Sequence, residues 1–96
     1  MKQYRHGDLL IVQVADIPTD AVPHQGRVLA EGEATGHAHV LDRDGLLFER
    51  NGELFFRGPN VSITHEEHKR IDLPTGTYQV IRQREYSPEE VRYVVD

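Results

Sequence analysis

Cysteine is absent from the 96 residues, and so is tryptophan. Without a thiol there can be no disulfide, no cysteine-bound zinc and no thiol nucleophile. A metal ion would have to be held by histidine, aspartate, glutamate or backbone oxygen. Long apolar runs are also missing. The longest is Leu9-Leu10-Ile11-Val12, far short of the roughly 20 residues of a membrane-spanning helix. Met1-Lys2-Gln3-Tyr4-Arg5-His6 leads into no apolar stretch of signal-peptide length. The expected location is therefore cytoplasmic, with no membrane partner. Basic residues are scarce as well: 11 Lys and Arg stand against 16 Asp and Glu, a net charge of -5. Nucleic-acid binding needs a basic surface that releases counterions. Lys69-Arg70 and the Arg82, Arg84 pair are the only local candidates. They are interrupted by Glu66, Glu67, Asp72 and Glu85 and read as solvated.

What is present points to a single all-β domain over residues 1–96. Asp8–Val14 is a nearly continuous apolar, β-branched strand, and Gly7-Asp8 allows a turn into it. Ala15–Gly26, with Pro18 and Pro23, reads as a loop long enough to serve in contacts. Strands are expected at Arg27–Glu33, His37–Leu41, Leu46–Arg50, Glu53–Arg57, Val61–His65 and Thr77–Arg84. Asp44-Gly45 and Pro74-Thr75-Gly76 mark turns. Asn51-Gly52 is the strongest turn signal, since both residues tolerate positive φ. A two-residue loop there sets Arg50 opposite Glu53 and Phe48 opposite Phe55, and both pairs agree on one register. Ser87-Pro88-Glu89-Glu90 has the form of a helix start, so a short C-terminal helical turn is expected. The whole reads as a small antiparallel barrel or sandwich. An apolar content of 38% makes a modest core, and many strand edges need covering. A homo-oligomer is expected on both grounds.

Four of the six histidines fall in two short clusters, Gly36-His37-Ala38-His39 and Thr64-His65-Glu66-Glu67-His68. On a strand, His37 and His39 would point to one face about 6.6–7 Å apart. Val61, Ile63 and His65 share a face in the same way. His65 and His68 are spaced i, i+3, so both reach one place only if the chain turns after Glu66. That spacing is not the i, i+4 pattern of the zinc proteases. His37, His39, His65 and His68 are thus the candidate ligands of a divalent ion, with Glu33, Glu66 or Glu67 as tuning carboxylates. Zinc, iron, nickel and copper all suit imidazole donors. His6 and His24 read as solvated polar residues. The rival reading is a non-catalytic homo-oligomeric module whose histidines lie at a subunit interface.

Two resemblances add to this. Gly36-His37-Ala38-His39, with the later Pro74-Thr75-Gly76 turn, resembles the His-x-His and Pro-x-Gly arrangement of the cupins, small metal-binding β-barrels. Only His37 and His39 carry over. The glutamate that follows the cupin pair is not matched, since Val40, Leu41, Asp42, Arg43 and Asp44 stand there. The histidine after the Pro-x-Gly turn is replaced by Thr77-Tyr78-Gln79. The resemblance implies, as a further alternative, a metal-dependent enzyme. Residues 7–11, 30–39, 64–68, 73–78 and 83–86 together are similar to a family of small uncharacterised bacterial proteins. That similarity implies a domain spanning nearly the whole chain and no defined activity.

Overall fold

The computed structural model describes residues 2–31 and 37–82. Among them are ten strands and no helix. They are β1 Gln3–His6, β2 Leu9–Val14, β3 Val22–Pro23, β4 Val28–Glu31 and β5 Ala38–Leu41. The remainder are β6 Leu46–Arg50, β7 Glu53–Gly58, β8 Ser62–Thr64, β9 Ile71–Asp72 and β10 Gly76–Arg82. Two antiparallel sheets result, one ordered β1-β2-β10-β7-β6-β3 and the other β4-β5-β8-β9. Among the described residues the two sheets are not closed into a barrel, so the barrel alternative is replaced by a two-sheet arrangement. The helical turn expected after Ser87 lies outside the described residues. No helix among those residues is long and apolar enough to cross a membrane.

The Asn51-Gly52 hairpin forms as its residues require. Asn51 and Gly52 take φ of 50° and 83°. Arg50 faces Glu53, and Phe48 faces Phe55. Three expected features differ in detail. Residues 3–6 form a strand that their polar composition hides. Val22–Pro23 pairs with Glu49 and Phe48 inside the expected loop. Ile71–Asp72 adds a two-residue edge beside β8.

The core lies between the sheets. Leu9, Ile11, Phe56 and Tyr78 from the first meet Leu41 and Ile63 from the second, all fully buried. Val61 and Leu73, next to β8 and β9, are buried with them. Each such aliphatic side chain stabilises the fold by about 1.5–3 kcal/mol. Phe56 and Tyr78 stack with ring centroids 5.2 Å apart. The Tyr78 hydroxyl, which a dry core would leave unpaired, donates to the Pro74 carbonyl at 2.7 Å.

Strand register then decides what else faces inward. Directly opposed residues of an antiparallel pair share a face. His6 opposes Leu9, and Tyr4 opposes Ile11. Because Leu9 and Ile11 point into the core, His6 and Tyr4 do too. On β5, Leu41 opposes Ile63. His39, two residues before Leu41, is therefore also turned inward.

Candidate functional site

Five histidines gather where the β1–β2 turn meets β5 and the loop between β8 and β9. His6 and His39 are the buried pair, 2% and 4% exposed. Their rings lie 4.9 Å apart. His65 stands 4.4 Å from His39, His68 4.5 Å from His65, and His37 5.7 Å from His65. Exposure increases outward, from His6 and His39 through half-buried His65 to exposed His68.

Local structure explains each position. The β5–β8 register, extended two residues beyond Leu41 and Ile63, places His65 across from His39. Residues 65–70 then reverse the chain into β9, which returns His68 to the same side. His37 lies just before β5 and joins the rim through His65 and Glu67. His37 Nδ1 is 3.2 Å from Glu67 Oε2. Glu66 accepts a hydrogen bond from the Ala38 N–H at 3.2 Å. Backbone N–H groups, its own and that of Ala38, hold the Glu66 carboxyl below the usual range. The two glutamates thus tether the histidine loop to β5.

All four histidines singled out from the sequence belong to this cluster. The fifth, His6, does not fit its expected solvated role: the β1–β2 register buries it. His24 does lie elsewhere, half-buried, with Nδ1 3.1 Å from Glu49 Oε1. Arg82 is no solvated residue either. Its Nε donates to Asp8 Oδ2 at 3.0 Å, and its second guanidinium nitrogen reaches the Glu31 carbonyl. This clamp joins the two sheets beside the cluster.

A chain of contacts fixes the hydrogens on the buried pair. His6 Nε2 lies 2.9 Å from the Lys69 carbonyl oxygen, which only accepts, so Nε2 carries the hydrogen. In a neutral ring His6 Nδ1 is then the acceptor. Its partner at 2.9 Å is His39 Nδ1, which must donate. Neutral His39 is left with a bare lone pair on Nε2, 3.3 Å from Asp8 Oδ1. Burial first, then the neighbouring His65 and His6, pulls the His39 pKa down to about 4, against the opposing pull of Asp8. Burial likewise lowers His6, although its bond to Lys69 works the other way. Burial would raise Asp8, but the hydrogen bond and charge of Arg82 outweigh it and hold the carboxyl below its ordinary range. A nitrogen lone pair and a carboxylate oxygen therefore sit side by side.

Gly7 makes the close packing possible. With φ of +65° it takes the first central position of the β1–β2 turn, as a two-residue hairpin of the II′ kind demands. A Cβ there would stand 2.8 Å from His68 Nε2 and 2.9 Å from His39 Cε1. Both rings press on bare backbone. Among the described residues, no group of three or more His, Asp or Glu side chains stands in an arrangement that could hold a metal ion without movement. A cleft of about 500 Å³ is lined by Pro23, His24, Arg27 and Leu46, among others, and by none of the five clustered histidines.

Residues 5–83 match the model of a family described as a domain of unknown function, DUF8820, and the chain belongs to that family. The match spans both histidine clusters and the β1–β2 turn, and it shows no likeness to cupins. No curated protein and no solved structure matches the chain.

Proposed function

We propose that this member of a family of unknown function binds one divalent transition-metal ion at its histidine cluster. The supporting observation is the setting of His39. Its ring is in contact with His6, His65 and His68 at 4.9, 4.4 and 5.7 Å. Its Nδ1–H is spent on His6, which leaves Nε2 as a bare donor. A ligating imidazole commonly has its other nitrogen anchored in this way. His39 is the inner ligand, with His65 and His68 closing on the ion from the solvent side and His37 as the outermost donor.

Closure asks for movement. His65 Nδ1 accepts the Glu67 N–H at 2.9 Å, so its neutral ring carries the hydrogen on Nε2. To ligate through Nε2 it must release Glu67. His68 is exposed but stacks on His39 with its Nε2 against Gly7, so it too must shift. Imidazole donors suit zinc, iron, nickel or copper. The subunit-contact reading asks for rings facing outward, whereas His6 and His39 are covered within one chain. That favours an internal site.

The test is the metal content of untagged protein purified without chelator, with its melting temperature before and after chelation. One ion per chain, lost in His39→Ala, supports the proposal. Metal well below one per chain, with a melting temperature unmoved by chelation, would overturn it.

A further inference from the structure

We infer that Asp8 is a ligand of the same ion, which makes the site a mixed imidazole–carboxylate centre selective for divalent cations. The inference rests on the metal-binding reading and adds to it a residue from a different part of the chain. Three observations carry it, each independent of the histidine spacing.

The first is distance. Two donors of a tetrahedral ion, each bound at about 2.1 Å, stand about 3.4 Å apart. Asp8 Oδ1 and His39 Nε2 stand 3.3 Å apart. That is the spacing of two neighbouring ligands. The second is orientation. Arg82 holds Oδ2 at 3.0 Å, so the free oxygen is the one facing His39. A guanidinium anchored also to the Glu31 carbonyl fixes that carboxylate as outer partners fix metal ligands elsewhere. The third is the approach of His68. Its Nε2 lies against Gly7, the residue before Asp8, and its ring stacks on His39 with centroids 5.7 Å apart, which sets a second imidazole beside the Asp8–His39 pair.

The resulting set is Asp8, His39 and His68, with His65 or water completing it. A carboxylate with imidazoles favours zinc, cobalt, nickel or ferrous ion over cuprous ion, which prefers sulfur donors. Asp8 is the ligand, and Arg82 is a positioning residue that acts through it.

The experiment uses the full chain stripped of metal and titrated with cobalt(II), followed by calorimetry and by the visible ligand-field spectrum. Carbon-13 NMR of protein labelled at aspartate carboxyls and loaded with diamagnetic zinc gives a direct readout, because paramagnetic cobalt would perturb any carboxyl near the ion. Asp8→Asn is expected to weaken cobalt binding at least about tenfold and to change the spectrum. In the wild type, the Asp8 carboxyl signal shifts strongly on zinc loading. Asp8→Glu, which keeps a carboxylate, retains binding better than Asp8→Asn. Arg82→Gln loses affinity but keeps the wild-type spectrum. Asp20→Asn, whose carboxylate pairs with Arg50 instead, binds as wild type. Circular dichroism confirms that each variant is folded, and if Asp8→Asn is not, the carbon-13 signal of the wild type decides alone. Wild-type binding with an unshifted Asp8 carboxyl, or equal affinity in folded Asp8→Asn, overturns the inference and leaves the histidine site standing. No cobalt binding by the wild type overturns both.

Discussion

His6 and His39, 33 positions apart in sequence, share a hydrogen bond between their Nδ1 atoms at 2.9 Å. Few side-chain pairs are so informative, because the Lys69 carbonyl at one end dictates which ring donates. The bond ties β1 of one sheet to β5 of the other. It also leaves His39 Nε2 turned toward Asp8.

Replacing His6 by Phe should therefore be costly even though an aromatic ring is retained. The His39 Nδ1–H would lose its partner in a buried place and the Lys69 carbonyl in a part-buried one. Each unsatisfied group costs about 1–3 kcal/mol. A loss of about 2–4 kcal/mol in urea denaturation of metal-free protein is expected. A loss below about 1 kcal/mol would mean that water replaces His6 freely.

Acid should destabilise the metal-free protein over a defined window. The His39 pKa is held near 4 in the folded chain and returns to about 6.5 on unfolding. Between those values the unfolded chain binds more protons, so stability rises with pH. The contribution is complete above about pH 6.5, is lost as pH falls toward 4, and has a size of up to about 3 kcal/mol. His6, lowered for the same reason of burial, acts with the same sign. Urea denaturation as a function of pH should show this slope, with a shallower one in His39→Gln. An identical slope in that variant would assign the acid sensitivity to other groups.

Gly7→Ala and Gly52→Ala separate backbone strain from crowding. Both glycines have positive φ, 65° and 83°. A Cβ at Gly52 meets nothing within 4 Å, whereas at Gly7 it meets His68 and His39 below 3 Å. Strain alone costs about 1–2 kcal/mol. Gly52→Ala should lose that much. Gly7→Ala should lose more and should also move the imidazole NMR signals of His39 and His68. Equal losses with unmoved imidazole signals would show that the rings are not packed on Gly7.

Tyr78→Phe removes one hydroxyl from a fully buried ring. The Pro74 carbonyl loses its 2.7 Å donor while the stack on Phe56 remains. A loss of about 1 kcal/mol is expected, measured by thermal or urea denaturation. No loss would mean that solvent reaches Pro74.

How much of this was legible in the sequence depends on the kind of signal. The Asn51-Gly52 hairpin was legible because turn chemistry and two cross-strand pairs agreed. The inward turn of His39 and His65 was legible from their alternation with Leu41 and with Ile63. That the two would face each other was not, because it depends on β5 pairing with β8, a contact between distant segments. His6 was hidden for a related reason. Gln3-Tyr4-Arg5-His6 carries no apolar alternation, and only its pairing with β2 buries the imidazole. Asp8 was hidden by its neighbour. Next to Gly7 it reads as a turn residue, and nothing local reveals Arg82, 74 positions away. His37 and His39 suggested a strand pair, but the strand begins at Ala38, so His37 sits at the rim.

The most direct measurement is calorimetric titration of zinc into chelator-stripped protein, wild type and His39→Ala side by side. A metal centre built on His39 predicts one saturable site per chain in the wild type, a rise in melting temperature on loading, and loss of the site in the variant. No saturable binding to the wild type, or the same isotherm in His39→Ala, would contradict it.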